Sequence, residues 1–114
     1  MTKRLNKSIL YDILESSENC ISFCKVMSFQ EFEKDLKTSF AVLHQLMVIG
    51  EAVKKLDKEF INDNPVLPWK DIAGTRDILI HNYDEADLEE VWDIVQNYLP
   101  KVVQEVESLL KKMN

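Results

Sequence analysis

Along the first quarter of the chain, Leu5, Ile9, Ile13, Cys20, Cys24 and Met27 recur at spacings of three, four or seven. That is one stripe of an amphipathic helix over residues 5–27. Ser16 and Ser17 weaken its middle without breaking it. Ser28 then stands three residues before Glu31, a capping-box pattern that opens a new helical segment. From Leu36 the apolar pattern is long: Leu36, Phe40, Leu43 and Met47, interleaved with Leu46, Ile49, Val53, Leu56 and Phe60. It predicts one helix to about residue 61, stepped near residue 35. Gly50 interrupts this run, and a mid-helix glycine costs about 1 kcal/mol against alanine, so a packing reason is expected. Close approach of another helix would supply one. His44, in the same helix, is expected to be a satisfied, partly buried histidine.

NDNPVLP, residues 62–68, is the clearest linker, with two prolines and three Asn/Asp residues. Pro68 suits the first position of the next helix, where a missing N–H does no harm. Trp69, Ile72, Leu79 and Ile80 give that helix an apolar side, and it should end around Asn82 to Asp84. Asp87 and Glu90 make a second capping-box pattern before the last helix. Its apolar side is Leu88, Val91, Trp92, Val95, Leu99, Val102, Val103, Val106 and Leu110. Pro100 falls inside this run and should kink or split it near Leu99. The expected architecture is a single all-α domain over residues 1–114, an up-down bundle of four to five helices.

Composition agrees. The 114 residues suit one domain with its own core. Two glycines and three prolines leave few places to turn, which favours long helices. No apolar run approaches the ~20 residues needed to span a bilayer. The basic start meets Asp12 and Glu15 too early for a secretory signal, so a cytoplasmic location is expected. Cys20 and Cys24, four apart in a helical pattern, read as small core residues rather than a disulfide or a metal site. The formal net charge is −6. Proteins that grip nucleic acid by bulk charge are basic, so any such role must rest on a local site or on a surface built from more than one chain.

The stretch RDILIHNY, residues 76–83, carries the candidate chemistry. Arg76 and Tyr83, seven apart, return to nearly one helix face. Asp77 lies four before His81 and could hold one imidazole nitrogen, leaving the other free for proton transfer. Arg76 and His81 are about 140° apart around a helix axis, so they would share a groove rather than a face. An arginine can hold a phosphate and stabilise charge growing on it; a histidine moves a proton near neutral pH. In RNA the 2′-hydroxyl can itself attack the neighbouring phosphodiester, so this pair is a sufficient kit for metal-independent cleavage. No metal cluster, nucleophilic-serine motif or phosphate-cradling glycine loop competes, and no cofactor is implied. Spacing alone leaves a surface ion-binding or plain structural role equally open.

The sequence resembles the HepT toxins, a branch of the HEPN superfamily of helical ribonuclease domains. The pattern R-x4-H-x-Y of that branch is met by Arg76, His81 and Tyr83, with Asp77 as the polar residue after the arginine. IGEA at 49–52, PWKDIAGTRD at 68–77, VWDIV at 91–95 and LP at 99–100 also look like this family. The resemblance implies a homodimer whose two motif regions face one cleft, and RNA, with tRNA the expected class, as substrate. It implies Arg76 and His81 as the catalytic pair, with Asp77 orienting one of them. It further implies a partner antitoxin, a minimal nucleotidyltransferase (MNT), that transfers AMP to Tyr83. Lys70 and the basic N-terminus (Lys3, Arg4, Lys7) are candidates for holding the rest of the RNA.

Overall fold

The computed structural model describes residues 3–65, 67–74 and 87–114, the side chains of Lys3 and Arg4 excepted. Among these residues every regular element is a helix: α1 (Lys3–Cys24), α2 (Phe29–Lys34), α3 (Leu36–Lys54), α4 (Lys58–Asp63), α5 (residues 69–74), α6 (Leu88–Asp93) and α7 (Leu99–Met113). A π-helical turn, Ile94–Tyr98, joins α6 to α7. The all-α bundle expected from the pattern is therefore what forms.

α1 is the central element and packs against both α3 and α7. Its inward stripe is Ile9, Leu10, Ile13, Cys20 and Cys24, all buried. Each large apolar side chain removed from water there contributes about 1.5–3 kcal/mol. α3 runs antiparallel to α1. The Asp57 N–H donates to Asn6 Oδ1 at 3.3 Å near one end, and Cys20 Sγ lies 3.9 Å from the Val42 carbonyl near the other. That register puts Gly50, itself buried, at about the level of the Ile13 turn. Both cysteines are free and buried, as core residues should be.

The long middle helix is not continuous. Asp35 stops α2 and caps α3: its carboxylate accepts from the Thr38 N–H at 3.1 Å and from Thr38 Oγ1 at 2.8 Å. α3 then ends at Lys54, and Asp57 caps a separate α4 by accepting from the Glu59 N–H. The apolar periodicity runs through both breaks, because short capped helices can keep one face inward without sharing one axis. His44 is exposed on α3 rather than partly buried.

The first capping box forms in full: Glu31 N–H donates to Ser28 Oγ and Ser28 N–H to Glu31 Oε1. α2 is short, so packing holds it. Phe32 is wholly buried, with Trp92 of α6 at a centroid distance of 5.2 Å, and Phe29 meets the same indole at 6.2 Å. Asp87 caps α6 by accepting from the Glu89 and Glu90 N–H groups.

Pro100 acts by an unexpected route. It has no N–H to return to the carbonyl four residues back, so a regular α-turn cannot run through it. The chain widens for one turn instead, with the Leu99 N–H donating to the Ile94 carbonyl five residues earlier. α7 starts with Pro100 in its first turn, where it is tolerated. Val91, Val95 and Leu99 are all buried. Those two successive four-residue steps depart from the three-four alternation of a straight helix, and the wide turn absorbs the difference.

Candidate functional site

Arg76, Asp77, His81 and Tyr83, and the expected helix end at 82–84, lie outside the described residues. What is described is the frame that delivers the chain to residue 75 and receives it at Asp87.

The entry side is pinned at the linker. Asn64 closes α4, its side-chain amide donating to the Phe60 carbonyl at 2.8 Å. The Trp69 indole N–H donates to the Asn64 carbonyl at 2.8 Å. The Trp69 ring is buried and stands 6.3 Å from that of Phe60. Pro68 supplies the carbonyl that accepts from the Asp71 and Ile72 N–H groups, so it sits at the cap, one place before the position expected of it. Trp69 and Ile72 turn inward while Lys70 and Asp71 are exposed. The apolar side predicted for this helix is thus seen as far as residue 74. Gly74 ends the described part of α5, and a Cβ there would meet nothing within 4 Å.

The exit side is acidic and polar: Asp87 at the cap, then Glu89 and Glu90, all exposed. Behind the frame, Ile72 meets Leu46 and Ile49 of α3, together with Ile94, Tyr98 and Leu99, around a gap of about 20 Å³. The Tyr98 hydroxyl is buried and has no hydrogen-bond partner among the described residues. Burial, and then the negative charge of Asp71, push its pKa up.

A groove of about 330 Å³ runs between α1 and α3 instead, floored by Ser16 and Ala52. Asp12, Glu15 and Glu51 line it, with Lys55 its single lysine, so it opposes a phosphate rather than inviting one. Of the sequence candidates for wider RNA contact, Lys70 is exposed on α5 and Lys7 is half-buried on α1. Among the described residues no group of three or more His, Cys, Asp or Glu side chains could hold a metal ion. Nor is any described helix long and apolar enough to cross a membrane.

The class of protein these features define is an all-α bundle of HEPN type, whose candidate motif follows the described part of α5 along the chain. The family model described as "Ribonuclease HepT-like" matches residues 13–109, and the chain belongs to that family. It is 48% identical over 111 residues to "Putative RNase MJ0127" of Methanocaldococcus jannaschii, covering 97% of this chain and 92% of that protein. It is 38% identical over 109 residues to "Probable ribonuclease HepT" of Thermococcus cleftensis, covering 96% and 99% respectively. No solved structure matches the chain.

Proposed function

We propose that this protein is a ribonuclease that cleaves RNA by 2′-hydroxyl attack, using Arg76 and His81, and that Tyr83 is the residue through which it is silenced. The observation that carries this reading is the complete Arg76, His81 and Tyr83 set, with Asp77 beside it, in a chain of the HepT-like family. His81 takes the proton of the 2′-hydroxyl, and the freed oxygen attacks the adjacent phosphorus. Arg76 bonds the non-bridging oxygens and stabilises the charge that grows on them. The bond to the 5′-oxygen breaks and that oxygen takes up a proton. One product ends in a 2′,3′-cyclic phosphate and the other in a 5′-hydroxyl. No metal is required by these steps. Asp77 fixes the imidazole tautomer.

The substrate is RNA, tRNA first among its classes, and the working unit is a homodimer. The net charge of −6 supports the dimer, since two copies of Arg76 in one cleft would focus positive potential that a single acidic chain lacks. A cognate MNT nucleotidyltransferase acts as antitoxin in the cytoplasm. The Tyr83 oxygen attacks the α-phosphorus of ATP, pyrophosphate leaves, and an AMP diester remains. Its bulk and negative charge beside Arg76 exclude RNA by sterics and repulsion.

The test is cleavage of tRNA by purified protein in the presence of a chelator. His81→Ala should abolish it. Co-expression with the MNT partner should add one or more AMP units to the intact mass, and Tyr83→Phe should remove them. The acidic balance also favours one other reading, a non-catalytic HEPN-like dimer that only binds its nucleotidyltransferase. Intact RNA with unmodified protein, together with a stable complex, would select it.

A further inference from the structure

Charge is sorted along the bundle. The Asn6–Asp57 hydrogen bond sets the start of α1 beside the junction of α3 and α4. Trp92 stands by Phe32, and Ile94, Tyr98 and Leu99 stand by Leu46 and Ile49, so α6 and the π-turn follow α3 in its own direction. α7 carries that course on against α1, with Leu109 and Leu110 still buried near its last turn. The start of α1, the α3–α4 junction and the end of α7 therefore share one end of the bundle. That end, residues 3–7, 54–59 and 107–113, holds eight basic residues against three acidic ones, Asp57, Glu59 and Glu107. The opposite end, residues 18–37 and 87–93, holds three basic residues against eight acidic ones. A chain of net charge −6 thus carries a positive pole.

Helix stability explains only part of this. Lysines in a last turn complement the helix dipole, which accounts for Lys54 in α3 and for Lys111 and Lys112 in α7. Cations in a first turn oppose it. α1 nonetheless starts with Lys3 and Arg4, followed by Lys7, and has no acidic residue in its first turn. Lys58 opens α4 in the same unfavourable way. Lys55, Lys58, Lys111 and Lys112 are exposed; Lys54, also exposed, already has an interaction within the chain. Charges on long flexible stems suit phosphates, which are evenly spaced and need no base to be read. α1 spans 22 residues, roughly 33 Å at the helical rise, several times the Debye length of about 8 Å at physiological ionic strength. The acidic end is therefore screened from a polyanion lying on the basic end.

We propose that this end of the bundle, with Lys55, Lys58, Lys111 and Lys112 beside the start of α1, is a contact surface for RNA phosphates, distinct in sequence from the Arg76–Tyr83 motif. It holds the substrate strand and reads no bases. The choice of ligand rests on the ribonuclease reading, but binding can be measured without cleavage.

The test is binding of single-stranded RNA methylated at every 2′-hydroxyl, which has lost the attacking group and stays intact. Fluorescence anisotropy over a salt series compares wild type with Lys58→Gln/Lys111→Gln/Lys112→Gln and with Lys25→Gln/Lys34→Gln/Lys37→Gln at the acidic end. All six lysines are exposed, so both variants should fold, and each loses three positive charges. For single strands each phosphate contact contributes about 0.7 to the slope of log affinity against log salt. The first variant should lose about 2 from that slope and bind on the order of a hundredfold more weakly at about 0.1 M salt, while the second stays close to wild type. Equal weakening of the two variants, unchanged binding by the first, or no binding by wild type would overturn the proposal. If wild type binds through this end yet cleaves no unmodified RNA, the proposal stands and the ribonuclease reading alone fails.

Discussion

Replacing Trp69 with phenylalanine separates two things this side chain does for the entry to the motif. The ring fills a buried site against Phe60, with centroids 6.3 Å apart. The indole N–H closes the linker by donating to the Asn64 carbonyl at 2.8 Å. Phenylalanine keeps an aromatic ring but removes the donor and part of the volume. A partly buried hydrogen bond contributes about 0.5–1.5 kcal/mol net, and the freed carbonyl recovers some of that from water. The missing ring atoms cost a further ~1 kcal/mol, being about one or two buried methylenes. The sum is about 1–2.5 kcal/mol, which for a domain of this size lowers Tm by roughly 4–10 °C. Thermal melts by circular dichroism measure it. If the linker bond also sets the departure of α5, the variant's ribonuclease rate should fall further than its small unfolded fraction explains. A Tm unchanged within a degree would refute the role given to the indole bond.

Other expectations follow from the same packing. Phe32→Ala should cost about 3–5 kcal/mol, because the ring is wholly buried and holds α2 on Trp92; denaturant titration measures it. The Asp35 carboxyl is held below its usual pKa, first by the Thr38 N–H and then by the Thr38 hydroxyl. Its contribution should therefore be present above about pH 4 and be lost as pH falls through the folded-state value. Melts of Asp35→Ala should lie below wild type at neutral pH and converge with it in acid. Burial pushes the Cys20 thiol up to about 12 and the Cys24 thiol up to about 11. Neither should react with a thiol reagent at pH 8 until the chain unfolds, so labelling should track the denaturant midpoint.

Much of this fold could be read from residue spacing. The α1 stripe, the Ser28–Glu31 box and the Asp87 cap each combine a local hydrogen-bond signal with an apolar face, and the two agree. Where they conflicted, the longer signal misled. The apolar run from Leu36 to Phe60 concealed the aspartate cap at Asp57, because a break in the axis need not break the inward stripe, whereas the step expected near residue 35 is the Asp35 cap. Asp35 followed three residues on by Thr38 was the available sign. The consecutive four-residue steps at Val91, Val95 and Leu99 were the corresponding sign of the π-turn, beside the more obvious Pro100. Spacing could not identify the site: an arginine, a histidine and a tyrosine within eight residues carry the same pattern whether or not they meet a phosphate. Family membership is what supports proposing that they do. The buried Tyr98 hydroxyl had no sequence signal, since an unpartnered hydroxyl is a property of packing.

The central claim is that His81 moves the proton in RNA cleavage. Incubation of tRNA with the purified protein in excess chelator, followed by analysis of the new ends, tests it most directly. The account predicts 2′,3′-cyclic phosphate and 5′-hydroxyl ends from the wild type and none from a folded His81→Ala variant. Equal cleavage by the two proteins, or cleavage that the chelator abolishes, would contradict it.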